Sequence, residues 1–344
     1  MNIPARNTAH YPVQPNCELL PESGSKERVR YSVVIPVYNE QEVLATAYDR
    51  LKAVMDTLGE PYELIFVNDG SKDVSREILE RLFATSQSVK VLNFSRNFGH
   101  QVAISAGMDY ASGDAVIVID ADLQDPPELI LKMVEAWRQG NDVVYAKRTV
   151  RQGDTRFKRW TAALFYRSLR ILTDVDIPVD TGDFRLIDRK VCAVMKGLKE
   201  KSRFVRGLVS WVGFRQTAVE YVRDRRFAGE TKYPLKRMLR LSSDAITSFS
   251  EKPLKMAMYV GAILALASIV ALFGALCAPL FTGSGVSGLF ALGAVVVFVN
   301  SILLIAVGIL GQYVARIHDE ARDRPLYILE SQLGFEEESR HGGA

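Results

Sequence analysis

The sequence is poor in the residues that staple small folds or hold soft metals. Its 344 residues include three cysteines, Cys17, Cys192 and Cys277, far apart and odd in number. Neither a disulfide framework nor a zinc spacing emerges from them, which fits a reducing compartment. The four histidines form no close pair, so a histidine metal site is not indicated. An excess of one charge is lacking too: 43 Lys and Arg against 40 Asp and Glu leave a net charge of +3. Bulk attraction to nucleic acid is therefore not expected. Neither the Gly-rich dinucleotide fingerprint nor the Walker phosphate loop occurs. Phosphates, if bound, must be held by metal and basic residues rather than by a glycine cradle. No basic segment followed by an apolar core opens the chain, so no secretory signal peptide is expected. Long apolar runs are missing as well, until residue 255.

What is present centres on Ala115 to Glu128, reading AVIVIDADLQDPPE. Ala115 to Ile119 is a short apolar run rich in β-branched residues, of the length of a buried strand. It ends in Asp120-Ala121-Asp122, then Gln124, Asp125 and two prolines that forbid continuation of the strand. While the backbone stays extended, side chains alternate with period 2, so Asp120 and Asp122 lie on the same side. Two crowded carboxylates repel unless a cation sits between them. Hard ions such as Mg²⁺ or Mn²⁺ take carboxylate oxygens together with substrate phosphates.

Residues 1–28 are polar, proline-containing and without apolar periodicity, and read as a disordered arm. Tyr31 to Glu40 is a strand that stops at Pro36 and opens into Asn39 and Glu40, followed by an amphipathic helix to about Leu58. A second strand from Tyr62 ends in Asn68-Asp69-Gly70-Ser71, with Ser71 or Asp73 as cap of the next helix. A third strand, Val89 to Phe94, leads into SRNFGH and a helix through Tyr110. The Asp120 strand is fourth, and Asp142 to Ala146 a fifth.

Strands alternating with helices imply βαβ units and a mainly parallel sheet. Ligands of such sheets bind beyond the carboxyl ends of the strands. Five polar clusters stand at such ends: Asn39/Glu40, Asn68/Asp69, Arg96/Asn97, Asp120/Asp122 and Lys147/Arg148. One cluster is ordinary turn chemistry; five argue for a nucleotide-sized site. TGDFRL, residues 181–186, reads as a turn with Asp183 beside Gly182.

Arg148 to Arg170 is dense in basic residues, Arg148, Arg151 and Arg159 among them, with Trp160, Leu164, Phe165 and Leu169 at helical spacing. Guanidinium groups suit phosphate oxygens, so this is expected to be a phosphate-binding rim facing a membrane. Residues 226–255 carry Lys232, Arg237 and Arg240 interleaved with leucines, the pattern of an amphipathic helix on an anionic bilayer surface. Met256 to Phe281 and Val286 to Ala315 are then 26 and 30 residues long without a formal charge. Roughly 20 apolar residues cross a bilayer, so two transmembrane helices are expected in 256–315. Flanking Lys252, Lys255, Arg316, Arg322 and Arg324 put both ends on the cytoplasmic side. Neither span holds an ionisable residue, which favours an anchor over a channel or pump; Ser268, Asn300 and Ser301 are the polar residues left to bond between helices. In the tail, 316–344, Arg324 to Leu329 reads as a strand returning to this domain or to a neighbouring subunit. Exchange of that strand would favour a homo-oligomer.

The motifs VVIPVYNE, VNDGS, SRNFGHQVAISAGMDYA, DADLQDPPE, TGDFRL and GETKYPLKRMLRL together resemble the family 2 glycosyltransferases of GT-A fold. More narrowly the chain is similar to the polyprenyl-phosphate glycosyltransferases, such as bacterial bactoprenol glucosyltransferases and dolichyl-phosphate mannose synthase. The likeness covers about residues 30–330. The Gln-x-x-Arg-Trp motif of processive synthases is missing, which disfavours polymerisation.

The resemblance implies an α/β GT-A catalytic domain over 29–225 and a membrane anchor behind it. It implies a nucleotide-sugar donor, probed by Pro36, Tyr38, Asn39, Glu40 and Asp69, and Mg²⁺ or Mn²⁺ held by Asp120, Asp122 and Gln124. Arg148, Arg151 and Arg159 would face the donor diphosphate or acceptor phosphate. Lys232, Arg237 and Arg240 would attract the lipid phosphate, and Asp183 stands where this family places its base. With Asp122 and Arg148, Asp183 completes the catalytic set. A phosphomonoester is largely dianionic at pH 7, its second pKa being about 6. Such an acceptor needs little proton abstraction, leaving Asp183 as base or as orienting group. A non-catalytic nucleotide sensor is the rival outside enzymology, and a diacylglycerol-type acceptor the rival within it. Which sugar moves is not readable from the sequence.

Overall fold

The computed structural model describes residues 28–150, 181–198, 200–201, 203–222, 259, 263–264, 266–267, 270 and 288–335. The disordered arm, the basic rim from Arg151 to Arg170 and the juxtamembrane segment 226–255 lie outside them. So do Arg151, Arg159, Lys232, Arg237 and Arg240, and all but a few residues of the first expected span.

Eight strands form one sheet: β1 Tyr31–Val37, β2 Tyr62–Asn68, β3 Val89–Phe94, β4 Ala115–Val118, β5 Val143–Val150, β6 Thr181–Asp188, β7 Gln216–Val222 and β8 Leu329–Leu333. Their spatial order is β7-β5-β6-β4-β1-β2-β3-β8. The β4-β1-β2-β3 block is parallel throughout, as apolar runs bounded by helices require. β6 enters antiparallel between β4 and β5, and β8 closes the other edge antiparallel to β3. This is the mainly parallel α/β sheet of GT-A type.

Helices cover both faces because strands such as β1 are buried on both sides. Tyr31, Val33, Ile35, Leu64, Phe66 and Ile117 pack with helices α1 (Leu44–Leu58), α2 (Ser75–Thr85) and α4 (Leu129–Arg138). Val34, Ile65, Val67, Val116 and Val118 pack with α3 (His100–Tyr110), α5 (Arg189–Gly197) and α6 (Val205–Trp211). A buried polar node ties the parallel strands together at their start. Glu63 is 2% exposed; it accepts from Ser32 Oγ at 2.5 Å and Ser112 N at 2.7 Å and pairs with Lys90 at 2.6 Å.

Three sequence expectations are corrected. TGDFRL is the start of β6, not a turn. The Gly-Asp pair looked like turn chemistry, but Phe184 and Leu186 reach one face of the sheet, while β5 pairs with Thr181 and with Arg185 to Ile187, and β4 with Arg185 to Asp188. Next, β1 continues through Pro36 to Val37. The β1–β4 ladder ends at Val34–Val118, with Ile119 N bonding Val34 O at 3.1 Å. Pro36, two residues on, would point its missing N–H to the side β4 has already left. Finally, Ser71 does not cap α2; its Oγ accepts from Asn39 N at 3.1 Å, while Asp73 accepts from Ser75 N at 3.1 Å.

One helix, α7, runs Gly288–Ala321. At 1.5 Å per residue its 34 residues span about 51 Å, past the expected end at Ala315. Its segment Phe298–Ala321 is long and apolar enough to cross a membrane, the one such helix among the described residues. Leu303, Leu304, Ile305 and Val307 on it are exposed. Asn300 donates to Val296 O of its own helix at 2.9 Å. Beyond its middle the helix meets the catalytic unit: Lys201 N donates to Glu320 at 2.8 Å and Lys201 Nζ pairs with Asp323 at 2.8 Å. The returning strand, expected over Arg324 to Leu329, is Leu329–Leu333 instead; it lies on β3 of the same chain, the first of the two destinations the sequence left open. Asn93 donates to Ser331 Oγ at 3.0 Å and Tyr327 stacks on Phe94 at 5.3 Å.

Candidate active site

In the spatial order, β1 stands between β2 and β4, so successive connections run to opposite sides and leave a crevice at the strand ends. Every described cluster predicted from the sequence surrounds it. Asn39, in the left-handed region at φ 54°, accepts from Lys72 N at 2.8 Å. Glu40 N donates to Ser75 Oγ at 3.0 Å. These bonds lace the β1–α1 loop to the β2–α2 loop. Tyr38, Asn39 and Glu40 are half-buried beside buried Pro36.

Asp69 is 3% exposed. Its carboxylate accepts from Phe98 N at 2.6 Å and from Gly99 N at 3.0 Å, which shapes the loop that delivers His100. Burial pushes Asp69 up from the usual carboxylate range, against those two N–H donors. Arg96 stacks on Phe98 at 4.0 Å.

After β4 the chain keeps its alternation through the turn. Ala121 and Leu123 are buried, while Asp120, Asp122 and Gln124 are half-exposed, and Leu123 adopts φ 57°. Asp122 accepts from Gln124 N at 3.1 Å. Antiparallel register carries Val118 opposite Arg185, so two residues further Asp120 comes alongside Asp183. His100 Nε2 joins them, 3.4 Å from Asp120 and 3.3 Å from Asp183. Burial works against a charge on His100, yet the two carboxylates outweigh it and push its pKa up to about 9. Burial pushes Asp120 up to about 6; His100 opposes this, and Asp183, Asp122 and Asp125 add to it.

Four acids are thus crowded beside one imidazolium. Asp120 Oδ1 is buried and accepts no hydrogen bond, its nearest cation being His100 Nε2 at 3.4 Å. This fits a divalent cation: two carboxylates two residues apart are hard oxygen ligands. No three His, Cys, Asp or Glu side chains cluster to hold an ion by themselves among the described residues, so substrate oxygens and water would complete the shell.

The far wall of the crevice comes from β5 and β7. Arg148 donates Nε to Tyr221 OH at 3.1 Å and places a second nitrogen 3.8 Å from Asp125. Tyr221 in turn donates to Asp125, which is 1% exposed. Arg148 passes directly over Gly182, where a Cβ would lie 2.7 Å from its guanidinium nitrogen.

A Glycosyl transferase family 2 domain matches residues 32–195. The chain is 59% identical over 308 residues, 90% of this chain and 95% of the other, to the Bacillus subtilis protein named Uncharacterized glycosyltransferase YkcC. It is 40% identical over 306 residues, 88% of this chain and 99% of the other, to the Bactoprenol glucosyl transferase of Shigella phage SfV.

The chain belongs to glycosyl transferase family 2.

In this family 2 glycosyltransferase the structure brings together Asp120, Asp122, Gln124, Asp183 and Arg148 with the Asn39 and Asp69 loops. Sequence reasoning missed His100, Gln101, Asp125, Arg206 and Tyr221. Of these, His100 had a signal in its place at the end of SRNFGH after a strand, and Asp125 in its place in DADLQDPPE. Arg206 donates Nε to Asp183 Oδ1 at 2.8 Å and a second nitrogen to Oδ2 at 3.0 Å; Gln101 Nε2 adds a bond to Oδ2 at 3.2 Å. Asp183 is 6% exposed. Burial alone would raise it, but Arg206 and His100 hold it well below the usual carboxylate range.

Proposed function

We propose that this family 2 glycosyltransferase moves one sugar from a nucleotide-sugar donor, a UDP-sugar, to polyprenyl phosphate, undecaprenyl phosphate in a bacterium. The observation that carries the reading is 40% identity over 88% of the chain to a relative named bactoprenol glucosyl transferase. The apolar, exposed α7 helix supports a membrane-embedded acceptor and an anchored enzyme; a hairpin over 256–315 with the catalytic unit on the cytoplasmic face rests on the sequence pattern alone.

Asp120 and Asp122, with Gln124, are the residues to hold Mg²⁺ or Mn²⁺, which when bound supplies Lewis-acid stabilisation of the departing nucleoside diphosphate. Pro36, Tyr38, Asn39 and Glu40 border the nucleobase and ribose. Any contact from Asp69 is made in addition to its bonds with the Phe98–Gly99 loop. Arg148, braced by Asp125 and Tyr221, presents a fixed guanidinium to phosphate oxygens. Arg151, Arg159, Lys232, Arg237 and Arg240, outside the described residues, serve the lipid phosphate. A phosphate oxygen of the acceptor attacks the anomeric carbon as its bond to the diphosphate breaks. The electron pair leaves with the nucleoside diphosphate, and configuration inverts. The attacking group is already an anion, so no proton need be removed.

The test is incubation of the purified full chain with a panel of UDP-sugars, Mn²⁺ and undecaprenyl phosphate. A lipid-linked monosaccharide is the expected product. Release of sugar to water only, or transfer to diacylglycerol instead, would overturn the acceptor assignment. A Lys232→Ala/Arg237→Ala pair should raise the acceptor KM more than the donor KM.

A further inference from the structure

Asp183 has no spare freedom. Both its oxygens meet Arg206 in a two-pronged pair, and Oδ2 also faces Gln101 and His100. Arg206 is equally committed, since its remaining terminal nitrogen donates to Thr181 O at 3.1 Å. Gln101 links the two partners a second time: its Oε1 accepts from Val205 N at 3.0 Å, and Val205 opens the helix that carries Arg206. One glutamine side chain therefore fixes both the carboxylate and the element bearing its counter-ion. A fork-to-fork guanidinium pair fixes direction as well as charge.

We propose that Arg206, set in place by Gln101, is a positioning residue that keeps Asp183 as a rigid hydrogen-bond acceptor orienting the sugar or the acceptor, not as a proton-abstracting base. A base must present a lone pair and take up a proton; four donors around a buried carboxylate oppose both. The inference rests on the proposed reaction in one respect, that a dianionic phosphate acceptor makes a base unnecessary.

The test has a substrate-free arm and a kinetic arm, both on the full chain in detergent. Thermal midpoints are measured for Arg206→Gln, Asp183→Asn and the double variant. Removing Arg206 alone strands a buried carboxylate, so adding Asp183→Asn should recover much of the loss; such non-additivity marks residues that act as a pair. Additive midpoints would overturn the inference.

In the kinetic arm, with UDP-glucose, Mn²⁺ and undecaprenyl phosphate, Arg206→Gln should lower kcat on the order of 10- to 100-fold, with the donor KM little changed. Arg206→Lys, which keeps the charge without the fork, should recover part of that loss. Full kcat in Arg206→Gln, or an Arg206→Lys variant as impaired as Arg206→Gln, would also overturn it. Failure of the unaltered chain to transfer, with thermal coupling intact, counts against the polyprenyl-phosphate acceptor alone and upholds the pairing.

Discussion

Arg148 lies so close over Gly182 that a methyl group at residue 182 would come within 2.7 Å of its guanidinium nitrogen. The nearest obstacle is the far end of a flexible side chain, so Gly182→Ala should move Arg148 rather than break β6. The expected result is a transfer rate lower by about 10- to 100-fold, since small misplacements of positioned groups cost that much. The thermal midpoint should stay within a few degrees of the parent. Circular dichroism melts alongside initial rates separate the two; a large drop in the midpoint with normal activity would refute the account of Gly182.

Asp122→Ala removes one of the two carboxylates in the turn after β4, where Asp122 is half-exposed. Metal-dependent transfer should disappear while the protein stays folded and membrane-bound. Titration with Mn²⁺ followed by EDTA is the measurement. Full activity of the variant in the presence of EDTA would end the assignment of Asp120 and Asp122 as ligands.

Glu63 gives a stability signature separate from the chemistry. Burial raises its pKa, but the ion pair with Lys90 and the bonds from Ser32 and Ser112 prevail, so the net shift is downward. A folded-state pKa below the unfolded value of about 4.3 means stability that is present above that value and lost as pH falls through the folded pKa. Glu63→Gln should therefore lower stability near neutrality. That difference should shrink on acidification below about pH 4. Denaturant midpoints at several pH values test this, and a cost independent of pH down to 3 would contradict it.

Truncation before Pro325 removes Tyr327 from Phe94, Ser331 from Asn93 and Glu330 from Arg76. It also leaves β3 with an open edge, a template for association between chains. The truncated protein is expected to melt at lower temperature and to aggregate in light scattering. An equally stable, monodisperse product would show that β8 contributes little.

The parallel half of the sheet was legible because each strand there is a run such as Val33–Ile35 or Leu64–Val67, ended by polar turn residues. Asp120 and Asp122 stood out for the same reason. β6 was not legible: Thr181, Gly182 and Asp183 carry turn chemistry locally, and only pairing with β5 and continuity with the Arg185–Asp188 stretch beside β4 make them a strand. His100, Gln101 and Arg206 were hidden differently. Their meaning lies in distances to Asp183 across 83, 82 and 23 positions of sequence, which no local pattern encodes. Arg206 also sits in a chain with many other basic residues, so composition gave it no contrast.

β8 follows the long apolar helix α7 in the chain, yet it completes the sheet that the first hundred residues begin. A ribosome making this protein delivers β3 more than 200 residues before its edge partner. From the end of β7 onward the sheet stays one strand short, and the missing strand emerges only after the apolar segment has left the exit tunnel. Completion of the sheet is thereby ordered in time: its edge strand follows the long apolar helix off the ribosome.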